Sequence, residues 1–425
     1  MPNYATLRNL IVSIAKLLPK ESYLVGGFVR DYLLKRQIED VDISLKGDVE
    51  KYSQLLAKEF NADFFGFKKE NLPIREKVYT LFVPVDEGKI RVDLSECKDL
   101  KEDLFHRDFT VNAMAWNIHH FAQGKRIIFD PFGGERDLRE RVIRAVRLEN
   151  FLEDPLRMLR AYRFAISLNF TLGQREREFI RKHAPAIKTV AGERIVTELL
   201  KVLSNPSSDR FFYETCKDGF LPILVGFPVY NLKPTLLGLR KLNKLVEEGF
   251  IEKLAQKLEW QKKTFLGEFG EEALLRLLIF LKNLPPKRVK KFVERYPFGS
   301  FATDYLLRSL EGYHLLRENP PKSVADLYDY LKRFEKFLFP IGVISKVSSH
   351  FERFSPILEF YRGKFKKFST PLLSGKDILR IRKIKPSPLM GIILKKLVLA
   401  QLEGKVKTRE EAEEFVKNLL RPSST

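Results

Sequence analysis

The stretch Tyr23–Ser44, YLVGGFVRDYLLKRQIEDVDIS, decides the fold. YLV is a short apolar run that stops at Gly26-Gly27, FVRDYLLKR has the spacing of a helix, and DVDIS returns to the alternation of a strand. The result is a strand, a glycine turn, a helix and a second strand. Free N–H groups at the helix start, with no Cβ in the way, can approach a phosphate closely, and Arg30, one turn in, adds a cation. A Gly-Gly turn alone only makes a tight corner, so the second strand carries the argument. The two-residue period puts Asp40 and Asp42 on one face. Two adjacent carboxylates repel and need a shared cation, which makes them candidate Mg²⁺ ligands facing a triphosphate.

A DxD alone is common on solvated strand edges. Glycine turn, arginine and DxD in one unit point further, to nucleotidyl transfer. In that chemistry two metals bridge an attacking 3′ hydroxyl, the α-phosphate and the leaving pyrophosphate. Outward from this unit, VYTLFVPV and IRVDLS read as further strands, and residues 6–18, 27–36 and 48–60 as helices. From about residue 138 the apolar spacing is helical almost throughout, as in LRMLRAYRFAISL, ERIVTELLKVL, LLRLLIFLKNL and MGIILKKLVLAQL. Breaks are expected at residues 205–209, 285–287, 319–323 and 386–388, where Pro and polar residues cluster. No fixed-period repeat is visible.

At 425 residues the chain is long enough for roughly three domains of about 150 residues. Its 44% hydrophobic and 31% charged residues fit a globular protein and exclude wholesale disorder. Two cysteines, Cys97 and Cys216, are too few for a disulfide framework or a Cys-based zinc site, and the six histidines lack tight metal spacing, so no zinc is assigned. The N-terminal MPNYATLRNLIVSIAKLL reads as an amphipathic helix rather than a signal peptide. LLRLLIFL contains Arg276 and falls short of the roughly 20 residues that span a bilayer, so no membrane segment and a cytoplasmic location are expected.

The net charge of +21 is unevenly placed. Residues 1–150 hold 25 Lys/Arg and 24 Asp/Glu, whereas residues 151–425 hold 51 and 31, a net +20. A thermophile-type surface explains many charges but not this one-sided sign. The second part is suited to a polyanion held by counterion release, while the first keeps its carboxylates unneutralised. Segment 351–400 has 12 basic and three acidic residues, and FYRGKFKKFS interleaves aromatics with them. That composition suits an RNA backbone; the aromatics alone read as helix core.

LVGGFVRDYLLKR with DVDIS, HRDFTVNAMA at 106–115, DPFGGERDL at 130–138, EDPLRMLRAYRFA at 153–165 and GERIVTELLKVL at 192–203 occur in one order. That order resembles class II tRNA nucleotidyltransferases, the family of CCA-, CC- and A-adding enzymes and bacterial poly(A) polymerases. The likeness is dense to residue 206 and thins to LLSGKDILRIRKIKPSPLMG at 372–391, with a Ser where a Gly is usual. It implies an α+β, polymerase-β-like head at 1–138, then an all-α neck at 139–206, body at 207–320 and basic, tRNA-binding tail at 321–425. It assigns Asp40 and Asp42 to catalysis and Mg²⁺, and Gly26, Gly27, Arg30 and Arg107 to the nucleotide, with Asp93 a possible third carboxylate. Glu153, Asp154 and Arg157 would select the base, Asp154 and Arg157 lying side by side on a helix as an amino-acid template, and Arg160 and Arg163 would continue the nucleotide contacts. His106 departs from the family pattern, in which an arginine usually stands there.

The resemblance also implies tRNA, by its acceptor and TΨC stems, and CTP or ATP as partners. IRVDLS reaches KEDLFHRDF after only ECKDL, whereas relatives that complete CCA usually carry a longer flexible loop there. CC addition is therefore the preferred expectation. Full CCA addition, A addition, poly(A) synthesis, and an RNA-binding protein with a relict head are the alternatives.

Overall fold

The computed structural model describes residues 4–67, 78–85, 88–267, 269–382 and 388–419. Positions 386 and 387 of the expected break, and part of the motif at 372–391, fall outside them. The chain forms two compact units, one of residues 1–199 with 214–228, the other of 200–213 with 229–425.

The first unit is built on a seven-stranded sheet. In chain order its strands are β1 (Ser22–Val25), β2 (Asp40–Leu45), β3 (Asp63–Phe67), β4 (Val78–Val85), β5 (Gly88–Glu96), β6 (Ala115–Asn117) and β7 (Ile128–Phe129). Their spatial order is β3-β4-β5-β2-β1-β6-β7, and β2 runs parallel to β5 while the other neighbours are antiparallel. The helices of this unit begin with α1 (Tyr4–Ala15), α2 (Gly27–Leu33), α3 (Val49–Glu59), α4 (Leu100–Phe105) and α5 (Ile118–Ala122). They continue with α6 (Gly134–Glu140), α7 (Asn150–Glu153), α8 (Leu156–Ser167), α9 (Gln174–His183) and α10 (Gly192–Leu203), the last turn of α10 belonging to the second unit. The four strands and three helices read from sequence are present. Two short strands, Val142–Ile143 and Thr171–Leu172, pair in the region expected to be helical.

Alternation along β2 does what the two-residue period requires. Val41 and Ile43 are fully buried, while Asp40 and Asp42 face the partly open side. Phe28 and Val29 on α2 are buried, so burial of that short helix fixes where Gly26 and Gly27 stand relative to β2.

The second unit is almost wholly helical. Its centre is the helix Glu271–Leu281, apolar on every side and correspondingly buried, which accounts for the LLRLLIFL run as a core helix. Arg276, 2% exposed, is tolerated there because it donates to the Leu203 carbonyl at 3.1 Å and to Glu272 and Asn243 at 3.4 Å. The break at 319–323 ends as a capping box, in which Ser323 and Asp326 satisfy each other's backbone N–H at the start of the helix Val324–Phe334. In FYRGKFKKFS, Tyr361 and Phe365 are core residues within a π-helical turn, Tyr361–Phe365, whereas Phe368 is exposed. Among the described residues no helix is long and apolar enough to cross a membrane.

Candidate active site

The parallel pairing of β2 with β5 sets Asp42 opposite Asp93 and Asp40 opposite Arg91. Three carboxylates thus share one face at the edge of the α2 turn. Asp93 is already engaged: Thr80 Oγ1 donates to it at 2.6 Å and Arg91 at 2.8 and 3.1 Å. Burial holds the Asp40 carboxyl above its usual range, and the nearby charge of Asp93 pushes it further up.

Gly26 closes the other side. Its φ of 68° and ψ of −133° suit only glycine, and a Cβ built there would lie 2.7 Å from Asp42 Oδ2 and 2.8 Å from Arg107 Nη1. The glycine, the second aspartate and the arginine therefore converge at one point. Arg107 donates to Asp103 at 3.1 Å and more weakly to the Asn112 carbonyl, while its buried Nε has no partner. Gly27 adjoins the Arg30 guanidinium, at 3.4 Å from an added Cβ. Arg30 is held by both Asp31 oxygens, by Asn112 Oδ1 at 2.6 Å, and over the Phe164 ring.

Beneath the site a chain of charges ties the elements together. Asp108 accepts Asn112 Nδ2 at 2.9 Å on one oxygen and two nitrogens of Arg160 on the other. Burial would raise its carboxyl, but Arg160 and the Asn112 hydrogen bond reverse that and lower it to about 2. Glu198 of α10 receives Arg160 at 3.2 Å and Arg163 at 2.5 Å. Both arginines lie over the Phe164 ring. Arg160 and Arg163 thus have protein counter-ions, and Arg30, Asn112, Asp108, Arg160 and Glu198 form one network joining α2, the HRDFTVNAMA segment, α8 and α10.

The base-selecting trio requires one correction. Asp154 is not on a helix: it caps α7 in an extended conformation, φ −139° and ψ 96°, and Arg157 lies in the first turn of α8. Pro155 is the cause, because its ring disfavours the helical region for the residue before it. Asp154 Oδ2 accepts Arg194 of α10 at 2.7 Å rather than Arg157. Arg157 donates to the carbonyls of Asn150 at 3.2 Å and His106 at 2.9 Å. Glu153 pairs with Arg147 at 2.6 Å and stands 3.7 Å from His106 Nδ1, whose Nε2 meets Glu102 at 3.0 Å. His106 is therefore an imidazole set between two carboxylates.

The profile of the poly A polymerase head domain matches residues 22–144, and that of the probable RNA and SrmB-binding site of polymerase A matches 169–230. The CC-adding tRNA nucleotidyltransferase of Synechocystis sp. is 30% identical over 98% of this chain and 97% of its own length. The chain belongs to the tRNA nucleotidyltransferase and poly(A) polymerase family. A CCA-adding enzyme of Streptococcus agalactiae is 29% identical, over 94% of this chain and 93% of its own. The structure of the Thermotoga maritima CCA-adding enzyme complexed with tRNA superposes with a TM-score of 0.68 at 22% identity, covering 99% of this chain and 97% of that one, and shares the fold. The α+β head followed by helical regions is thus the architecture of this nucleotidyltransferase family.

Among the described residues no three His, Cys, Asp or Glu side chains form a ready cation cage. The site nevertheless fits a divalent cation of the Mg²⁺ type, which is commonly held by one or two carboxylates with substrate phosphates completing the shell. Asp40 and Asp42 would supply the carboxylates, and a cation there would offset the repulsion that Asp93 adds to the burial of Asp40.

Sequence reasoning missed Asn112, Asp108, Glu198 and Arg194. Each lies inside a motif quoted for other residues, and nothing local marks a partner 35 to 82 positions away.

Proposed function

We propose that the protein extends the 3′ end of tRNA by template-independent nucleotidyl transfer, adding two cytidines from CTP and stopping. The observation that carries the cytidine preference is the connection between β5 and α4. It consists of Cys97, Lys98 and Asp99 alone, and Asp99 is already capping α4 through the Glu102 N–H at 2.9 Å. A tether this short has no length with which to re-aim Asp154 and Arg157 from cytosine to adenine. The naming of the Synechocystis and Geobacter sulfurreducens relatives as CC-adding supports the same reading.

In this reading the tRNA 3′ oxygen attacks the α-phosphorus of CTP, the bond to the β-phosphate oxygen breaks, and pyrophosphate leaves. Mg²⁺ on Asp40 and Asp42 would stabilise the charge on the attacking and leaving oxygens. The Gly26 backbone leaves room for the triphosphate, and Arg107 beside it offers a guanidinium to phosphate oxygens. Gly27 and Arg30 flank the same turn. Asp154 accepts the cytosine amino group and Arg157 donates to its ring nitrogen and carbonyl, with Glu153 holding the junction between α7 and α8. Arg160 and Arg163, fixed through Asp108 and Glu198, keep α8 at a set distance from the turn. We further propose Asp93 as a third carboxylate, a cytoplasmic location, binding through the acceptor and TΨC stems, and the four-part division at residues 138, 206 and 320.

The deciding experiment supplies tRNA lacking its 3′ end with CTP or ATP alone and sequences the product. Two cytidines from CTP and no transfer of AMP to a C-C end are expected. Adenosine on that end overturns the CC reading in favour of CCA or A addition, and long A-tails on unrelated RNA would mark a poly(A) polymerase.

A further inference from the structure

The second unit gathers positive charge at a place no sequence motif marks. Lys241 lies on the helix Lys233–Glu247, and Lys282 caps the C-terminus of Glu271–Leu281. His314 and Arg317 lie on Ser300–Glu318, and His350 and Arg353 open the helix Phe351–Phe360. Direct contacts hold them together. Lys241 Nζ donates to Ser349 Oγ at 3.0 Å, the Tyr313 hydroxyl meets His350 Nδ1 at 3.2 Å, Arg317 lies over the Tyr313 ring, and Arg353 donates to the Arg317 carbonyl.

The cluster is short of counter-charge. Arg317 pairs with Glu318 at 2.5 Å, and Glu352 is the other carboxylate at hand. Among the described residues Lys241, Lys282 and Arg353 form no ion pair with a carboxylate. Burial, then the charges of Arg317 and Lys241, push the Lys282 ammonium down to about 8. Burial and the same group of cations hold His314 and His350 below their usual range. The bland alternative is a solvated basic surface, but solvated lysines spread apart and keep their ordinary titration. A helix C-terminus favours one cation beside it, which accounts for Lys282 and leaves the others. Like charges held partly out of water are costly unless an anion joins them.

We propose that Lys241, Lys282, Arg317 and Arg353, with His314 and His350 beside them, form a seat for backbone phosphates of the RNA substrate, outside the FYRGKFKKFS segment. RNA is favoured over a free phosphate because the cluster is open on its Arg317 and Arg353 side and sits in the part of the chain that carries the net +20. The inference rests on the proposed action on tRNA.

The test is amine acetylation of the wild-type protein at pH 8, read by peptide mass spectrometry, with and without tRNA lacking its 3′ end. Bound tRNA is expected to slow modification of Lys241 and Lys282 at least about fivefold, and inorganic phosphate at equal concentration to leave it unchanged. The double variant Lys282→Met, Arg353→Gln should bind tRNA roughly tenfold more weakly, with a shallower dependence on salt by about one to two contacts. Lys282→Arg should restore most of the affinity. Equal acetylation with and without tRNA overturns the seat, as does wild-type affinity and salt slope in the double variant; protection by phosphate but not by tRNA overturns the RNA assignment. Incorporation of CMP by the same wild-type sample is measured alongside. Its absence would sink the functional reading, whereas unprotected lysines in a protein that does incorporate CMP sink only the seat.

Discussion

Gly26 is the position at which backbone and chemistry meet. Any side chain there must adopt a glycine-only conformation and also displace Asp42 or Arg107. Gly26→Ala is expected to cost about 1–3 kcal/mol of stability from strain. It should lower CMP incorporation on the order of 100-fold, because a shift of about 1 Å in a reacting group has that effect. Urea unfolding and single-turnover kinetics separate the two losses. Asp42→Asn removes a charge with little change of shape. It should abolish incorporation while tRNA affinity, measured by filter binding, stays within about twofold, since RNA affinity comes mainly from cations on phosphates; full activity would remove the metal assignment. Asp108 is a residue of a different kind. Its carboxyl is lowered in the folded state, so its ionic contribution is present above the unfolded value of 3.8 and disappears as pH falls towards about 2. That contribution amounts to about 2 kcal/mol. Asp108→Asn should therefore lose stability at pH 6 and show a flatter decline between pH 4 and 2 than the parent, as urea midpoints across that range would reveal. Asp40 and Asp42 were legible in the sequence because a two-residue period is a local signal. Asp108 was not, because its meaning comes from Arg160, 52 positions on.

Elements were read more easily than the joints between them. The strands β1, β2, β4 and β5 and the helices α1, α2 and α3 follow from apolar period and glycine position, which neighbouring residues determine by themselves. The i, i+3 spacing of Asp154 and Arg157 suggests one continuous helix, whereas Pro155 breaks it at Asp154. In the folded chain Arg194 takes the carboxylate and backbone carbonyls take the guanidinium, so base reading would need both to exchange partners. The site's rear wall depends on α10, through Glu198. Removing that charge leaves Arg160 with Asp108 and deprives Arg163 of its partner. Glu198→Gln is thus expected to raise the KM for CTP roughly fivefold to tenfold, consistent with about 1–1.4 kcal/mol of lost positioning, with a smaller effect on tRNA affinity. An unchanged KM would show that α8 is held by its apolar face alone.

At the scale of the whole molecule the division of charge is the feature that composition disclosed and local motifs did not. Residues 1–150 are almost neutral, whereas residues 151–425 carry a net +20. In the proposed function the nucleotide would be held by a few directed contacts around the partly buried Gly26 turn, which salt screens weakly. The RNA, in contrast, would be held by many cations on phosphates, each of which releases counterions. The two substrates should consequently respond differently to salt. Raising KCl from 50 to 200 mM is expected to weaken tRNA binding on the order of 100-fold, the loss for about four phosphate contacts, while the KM for CTP at saturating tRNA changes by less than about threefold. Fluorescence anisotropy with labelled tRNA and steady-state incorporation measure the two quantities at matched salt. If both fall in parallel, the head shares in the polyanion field and the separation of gripping from chemistry fails. If only tRNA affinity falls, and its slope shrinks when Lys282 and Arg353 are replaced, the cations of the second unit account for it.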